Sequence, residues 1–386
     1  MSLYELAILG DVIPKERAVL ISTIGDMVAD FGLALNKEVI VHDGASIYSR
    51  NKHAAFAAAY FGGTDKPDME ATQNLVLSSA PVIPTVVPSM DFIKAFPDFL
   101  QSANGLIRRA GDTKMSELAA ALLECVGLLR AQRRVFISYR RTESRQAAVQ
   151  LHDLLSERCF DVFLDTHDIR PGDPFQDVLW HRLVDSDVMI VLDTSSYFDS
   201  RWTRQEIGRA RAKEIQVLRV IWPEHKPNKL TDLSETVYLA DEDLKGPDGP
   251  IKKSTAEALV LSVERLRSLS IAARYMSITG KLRADVEKIG ACVEAIGAHR
   301  AIAVRLLDDR RIWAYPIVGV PTAEIFNDVA DKTQHDDPTE IPILVYDHVG
   351  IRDKWSDHLK WLDKNISSVR AIKVSEIGWT LAAWEG

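Results

Sequence analysis

Apolar positions in the middle of this chain alternate between two signatures. Val135-Phe136-Ile137 is a short continuous run that ends in Ser138-Tyr139-Arg140-Arg141, the pattern of a buried parallel strand whose carboxyl end reaches a polar edge. Ala147, Leu151, Leu154 and Leu155 follow at i, i+4, i+7 and i+8, which predicts a helix over 145–158. Asp161 to Asp165 reads as a second strand. The polar stretch Thr166 to Asp173, broken by Pro171-Gly172, reads as a loop. Asp173 can cap a helix opening at Pro174. Val188 to Leu192 is a third strand, Trp202 to Lys213 a helix, and Val217 to Trp222 a fourth strand stopped by Pro223. Strand and helix in alternation predict a parallel sheet with helices on both faces. The ligand edge of such a sheet lies beyond the strands' carboxyl ends. Tyr139, the loop after Asp165, Ser195, Ser196 and Trp202 would gather there.

The flanks have the same habit. Before the centre, Tyr4 to Leu9 predicts a strand, Lys15 to Leu33 a helix, Val39 to Val41 a strand and the alanine-rich stretch His53 to Phe61 a helix. Leu118, Leu122, Cys125 and Leu129 make one face of a connecting helix over Met115 to Gln132. Past the centre, the polar segment with Gly246-Pro247 and Gly249-Pro250 reads as a linker. Helices are expected over Thr255 to Ala273, Asp285 to Ile296 and Asp353 to Asp363, and strands over Trp313 to Val320 and Ile343 to Tyr346. The expected organisation is an α/β domain over 1–114, a linker helix over 115–132, a central α/β domain over 133–225, a linker over 226–253 and a further α/β domain over 254–386.

Composition narrows the classes. At 386 residues, 46% hydrophobic and 26% charged, the chain has the length and makeup of a soluble protein with several cores. A net charge of -8 argues against a general nucleic-acid or anionic-membrane surface. Cys125, Cys159 and Cys292 show neither disulfide nor metal spacing, which suits a reducing cytoplasm. No apolar run spans a bilayer, and no cationic-then-apolar leader opens the chain. Asp11, Asp43 and Gly44 sit at strand ends, but without a G-x-G-x-x-G or P-loop beside them turn chemistry is the simpler account. Asp347, His348, Asp357 and His358 could in principle hold a metal; Asp357 and His358 are neighbours on a helix and diverge, so none is predicted. His167 and His181 read as surface histidines.

The stretches FISYRR (136–141), FLDTHDIRPGD (163–173), the helix ending near Ser186, and SRWTRQE (200–206) resemble the successive boxes of a bacterial Toll/interleukin-1 receptor (TIR) domain. The resemblance covers residues 133–225 and implies a flavodoxin-like sheet. It also implies one of two activities: assembly alone, or cleavage of the nicotinamide–ribose bond of NAD. The cleaving branch carries a glutamate four residues after a tryptophan on the helix following the third strand, a pattern that Trp202 and Glu206 match. On that resemblance Glu206 is catalytic. Trp202, Ser138, Tyr139, Arg140 and Ser196 are substrate-binding, with Arg141 as a second arginine near the pyrophosphate. Asp168, Ile169, Arg170 and Gly172 form an assembly loop that contacts a neighbouring TIR domain. The chemistry suits these residue types. Bond cleavage leaves an oxocarbenium-like ribose that a carboxylate stabilises, and an indole face attracts the pyridinium cation. The structural alternative pairs Glu206 with Arg204 or Arg209 and packs Trp202 on the sheet edge. NAD is thus the expected substrate, without a metal, in a self-associating cytoplasmic immune or stress effector whose flanks take an activating ligand or protein. A non-catalytic scaffold and a nucleoside ribosyl transferase are the alternatives.

Overall fold

The structure, a computed structural model, describes residues 2–109, 111–129, 133–164, 175–199, 201–225, 234–334 and 342–384, without the side chains of 175–177, 201, 202 and 334. It divides into two compact units. One comprises Met1–Leu129, Ala272–His348 and Asp353–Gly386; the other comprises Arg130–Ile271 and Val349–Arg352.

The first unit opens with β1 (Tyr4–Gly10), α1 (Pro14–Ala29), β2 (Val39–His42), β3 (Ala55–Phe61), α2 (Met69–Leu77), β4 (Val82–Val86), α3 (Phe92–Ala95), β5 (Leu106–Ile107) and α4 (Ser116–Cys125). All five strands run parallel in the order β2-β1-β3-β4-β5. The alanine-rich stretch expected to be helical is therefore β3, and all seven of its residues are buried between β1 and β4. Alanine's helix preference amounts to only about 0.5 kcal/mol per residue over a β-branched residue, and ladder pairing with burial on both faces outweighs it. The helix expected over 115–132 is shorter: α4 stops at Cys125, where Gly127 takes φ +75° and Leu128 N–H returns to the Leu123 carbonyl.

The second unit holds β6 (Arg134–Ser138), α5 (Arg145–Glu157), β7 (Asp161–Leu164), α6 (Phe175–Val184), β8 (Val188–Asp193), α7 (Arg201–Ala212), β9 (Gln216–Ile221), β10 (Glu235–Tyr238) and the start of α8 (Lys253–Lys288). Its strands are also all parallel, in the order β10-β9-β8-β6-β7. The period of two in β6 separates the core into layers. Val135, Ile137 and Tyr139 pack with Ala147 and Leu151 of α5 and with Leu259, Val263 and Leu266 of α8. Phe136 packs on the other face with Leu179 and Leu183 of α6 and Ile207 and Ala210 of α7. The segment expected as a linker carries β10, paired with β9 from Glu235↔Leu218 to Tyr238↔Ile221, while 226–233 lie outside the described residues. Its Gly/Pro-rich end is tied down as well. The Gln150 side chain donates to the Ile251 carbonyl (2.8 Å) and accepts from Ile251 N–H (2.7 Å), as a neighbouring strand would.

The third sheet returns to the first unit with β11 (Cys292–Ile296), β12 (Ile302–Arg305), β13 (Arg311–Ile317), α9 (Ala323–Gln334), β14 (Ile343–Tyr346), α10 (Asp353–Asn365), β15 (Arg370–Lys373) and α11 (Ile377–Ala382). Its order is β11-β12-β13-β14-β15, antiparallel up to β13 and parallel beyond. The expected helix over Asp285 to Ile296 is instead the end of α8 followed by β11. Gly290 at φ +77° lets Ala291 N–H bond back to the Val286 carbonyl and closes the helix. The first and third sheets are therefore not alike; the first and second share one strand order.

Glu124 on α4 binds two bases of the first unit. It accepts from His299 Nδ1 and from Lys332 Nζ of α9, both at 2.6 Å. Burial pushes its carboxyl up, but the hydrogen bond and charge of His299 and the Lys332 ammonium outweigh that and hold it at about 2. A carboxyl depressed in the folded state stabilises fully above its unfolded value near 4.5 and loses that contribution as pH falls toward 2. Glu124→Gln is expected to cost about 3 kcal/mol at pH 7 and almost nothing near pH 2. Urea melts at both pH values check this; an equal loss at each would assign the effect to shape rather than charge.

Candidate active site

α7 is amphipathic, and one carboxylate lies on its wrong face. Thr203, Glu206, Ile207 and Ala210 are buried while Arg204, Gln205, Gly208 and Arg211 are exposed, the stripe of a helix laid on a sheet. Glu206, with 6% of its surface exposed, occupies a place where an aliphatic residue would pack. Burying a carboxylate is costly unless it is hydrogen-bonded. Ser138, at the carboxyl end of β6, supplies a bond: its Oγ donates to Glu206 Oε2 at 2.6 Å. The phenol oxygen of Tyr197 lies 2.7 Å from the same Ser138 Oγ. Tyr197 is fully buried in the turn Tyr197–Asp199 that leads into α7. Three elements thus place a serine, a phenol and a carboxylate in line at the sheet's carboxyl edge.

The neighbouring loops are latched. Glu143, in the loop after β6, accepts from Ser196 Oγ (2.6 Å), Ser196 N–H (3.2 Å) and Ser195 Oγ (3.3 Å). Partial burial raises its carboxyl, and these hydrogen bonds more than reverse that and hold it below the usual range. At the same edge Asp193, fully buried at the end of β8, accepts from Arg219 Nε (2.7 Å) and lies 3.1 Å from His225 Nε2.

A TIR-domain family model matches residues 135–247. This chain contains a TIR domain. No curated protein sequence matches the chain. Fifteen chains among the solved structures match. One is the tagatose-6-phosphate ketose/aldose isomerase from Escherichia coli, 11% identical over 70% of this chain and 82% of that one, with a TM-score of 0.21. A likeness at that score supports no inference about either protein.

Within the TIR domain the expected site residues separate. Glu206 and Ser138 meet. Trp202 lies four residues before Glu206 on α7, as expected, and its side chain is outside the described residues. Tyr139 does not join them: it alternates away from Ser138 and is buried with Ala147 and Leu151 on the opposite face. Arg140 is half-buried at the edge, and its carbonyl accepts from Glu143 N–H and from Ser144 N–H and Oγ. Ser196 spends its N–H and hydroxyl on Glu143. The assembly-loop residues Asp168, Ile169, Arg170 and Gly172, and His167 with them, lie outside the described residues. His181 is half-buried on α6 rather than a surface histidine; burial, then the charges of Arg182 and Arg134, push its imidazole down to about 4.

Tyr197, Glu143 and the Asp193–Arg219–His225 group were not singled out from the sequence. Tyr197 stands in SSYF, where an aromatic reads as core, and nothing in spacing points it at Ser138. A cavity of about 740 Å³ lined by Arg145, Gln146, Val149 and Gln150 lies along α5. That helix covers the sheet face opposite α7, so the cavity is not part of this site.

Outside the TIR domain, candidate ligand positions are occupied by the protein's own groups. Gly10 N–H, at the end of β1, donates to Asp68 Oδ2 at 3.1 Å, so a carboxylate already sits where a phosphate would accept. Asp43 Oδ1 closes its own turn with Ala45 N–H and Ser46 N–H and Oγ. His358 stacks on Trp361 with ring centroids 6.2 Å apart, and Asp357 pairs with Lys360. Among the described residues no three His, Cys, Asp or Glu side chains gather closely enough to hold a metal.

Proposed function

We propose that the TIR domain cleaves the nicotinamide–ribose bond of NAD with Glu206 as its catalytic carboxylate. The observation that carries this reading is the carboxylate itself, buried on the sheet-facing side of α7 and hydrogen-bonded at the edge where parallel sheets bind ligands. A buried acid with a specific donor beside a ligand edge is a functional-site candidate. In the proposed step the C1′–N bond breaks and its electron pair leaves with neutral nicotinamide. The ribose cation that develops is stabilised by the carboxylate. Water, or a nucleophile within the substrate, then takes C1′, giving ADP-ribose or a cyclic isomer. Trp202 would face the pyridinium and Arg140 the pyrophosphate.

Association is proposed to switch the reaction on, through the loop containing Asp168, Ile169, Arg170 and Gly172, in an immune or stress response. The flanking sheets would then carry the sensing of a ligand or protein. Among the described residues no helix is long and apolar enough to cross a membrane.

The test is nicotinamide release from NAD by the purified full-length chain across a range of protein concentrations, with light scattering on the same samples. Release per molecule should climb with concentration as larger species form. Absence of nicotinamide in every assembled state would leave the TIR domain a scaffold. Ribosyl transfer to an added base in preference to water would make it a transferase.

A further inference from the structure

We propose that Tyr197 is a positioning residue: its phenol donates to Ser138, and this fixes Ser138 as a donor to an ionised Glu206. The proposal rests on the catalytic reading of Glu206 and adds the groups that hold that carboxylate in its working form.

A serine hydroxyl has one proton and two lone pairs. At 2.6 Å from Oε2, the Ser138 hydroxyl gives its proton to a carboxylate, which can only accept. Ser138 Oγ is then left as an acceptor toward Tyr197, 2.7 Å away, so the phenol must be the donor of that pair. The order Tyr197 O–H to Ser138 O–H to Glu206 favours the charged form, because a carboxylate is the stronger acceptor for the Ser138 proton. Ser138 is 5% exposed, Tyr197 0% and Glu206 6%, so little bulk water competes for these bonds. Bonds in such a chain polarise one another, and a donor to the charged form lowers a carboxyl's proton affinity.

Tyr197 is itself held. Its N–H bonds to the Thr194 carbonyl (3.1 Å), its carbonyl accepts from Thr203 Oγ1 of α7 (3.2 Å), and its ring meets Phe198 edge-on with centroids 5.0 Å apart. The Glu143 latch fixes the preceding serines. The phenol is therefore aimed at Ser138 by the backbone.

Other ionisable groups on the elements around α7 have partners of their own. On α7, Arg204 donates to the Phe198 carbonyl and Arg209 lies 3.7 Å over the Trp180 ring. On α6, Arg182 pairs with Asp161, and His181 is held neutral by burial and by Arg182 and Arg134. Arg219 of β9 is paired with Asp193, and Arg134 of β6 with Asp185. Asp199 stands in the turn before α7, which its backbone N–H closes on the Ser196 carbonyl, and among the described residues its carboxylate is the remaining charge near the group.

The test compares wild type with Tyr197→Phe, Ser138→Ala, the double variant and Ser138→Cys, all as full-length protein. The titration of Glu206 is followed by carbon NMR on chain labelled at glutamate carboxyls and assigned with Glu206→Gln, and kcat against pH is measured in parallel. Tyr197→Phe keeps the ring, so the melting temperature should hold. The Glu206 midpoint should rise by about one unit, the acid limb of kcat against pH should move up with it so that kcat on that limb falls by about tenfold, and KM should stay unchanged. Ser138→Ala should shift the midpoint at least as far, the double variant should match Ser138→Ala alone, and Ser138→Cys should fall between it and wild type. An unmoved midpoint in Tyr197→Phe, or additive shifts in the double variant, overturns the relay even if NAD is cleaved normally. Because NMR needs no turnover, a chain that is inert toward NAD but shows these shifts refutes the catalytic reading and leaves the relay standing. If Tyr197→Phe does not fold, an unchanged midpoint in Ser138→Ala is the overturning result.

Discussion

Glu206→Gln is expected to fold as wild type does and to release nicotinamide about a thousandfold more slowly. Glutamine keeps the volume of the buried side chain, and its amide oxygen can still accept from Ser138 at the place now taken by Oε2. What is lost is the negative charge. In a site with little water, one oriented charge beside a developing cation is worth about 3–4 kcal/mol, which is roughly 10²–10³ in rate. Since Glu206 lies on the buried stripe of α7 with Ile207 and Ala210, removing its charge relieves a desolvation cost, and the melting temperature should stay level or rise. The informative pair is therefore kcat against melting temperature. A rate within about tenfold of wild type would mean that Glu206 is an internal polar residue and that the site lies elsewhere.

What could be read in advance followed from periodicity. Val188 to Leu192, the stripe of α5 and the Trp202–Glu206 spacing are local patterns, and each element forms where they predict it. The failures came from tertiary context. Ala57, Ala58 and Ala59 have the composition of a helix and are a strand because β1 and β4 flank them. The polar segment with β10 looked like a linker because an edge strand needs little apolar surface: its residues are half-buried or exposed. At the site, Ser138 could be named from its strand end, but the alternation that sends Tyr139 to the α5 layer follows only once β6 is paired on both sides. Tyr197 depends on a loop trajectory that no sequence spacing encodes. Glu143 was passed over for a similar reason, since its partners Ser195 and Ser196 are fifty residues away in the chain and meet it only across the β6–β8 pair.

The extent of the TIR core is a case where side-chain chemistry, not pattern, sets the boundary. The family match ends at 247, and α8 begins at Lys253 in the stretch expected to open a separate domain. Yet Val260 and Val263 complete the α5 layer, and two charged residues of the helix are buried against the sheet. Glu264 pairs with Arg133 just before β6, and both are fully buried. Arg267 Nε donates to Asp187 Oδ2 at 3.0 Å. A helix docked by buried ion pairs is specified in register as well as in place, because a slip of one residue would strand both charges.

The largest expected effect on stability follows from that docking. Glu264→Ala is expected to destabilise the TIR unit by about 3–5 kcal/mol, the cost of leaving a desolvated guanidinium without its counter-charge. Arg133 would keep its bond to the Arg158 carbonyl (3.2 Å) and its position 4.1 Å over the Phe160 ring. Neither neutralises the charge, and no solvent reaches it. Replacing both partners removes the charge as well as the attraction, so Arg133→Leu with Glu264→Leu should recover most of the loss. Urea unfolding of Glu264→Ala, of Arg133→Leu and Glu264→Leu singly, and of the two together, followed by tryptophan fluorescence, measures the coupling. If Glu264→Ala costs less than about 1 kcal/mol, the pair behaves as an exposed one does, and α8 is held to the TIR sheet by its apolar stripe and the Arg267–Asp187 pair.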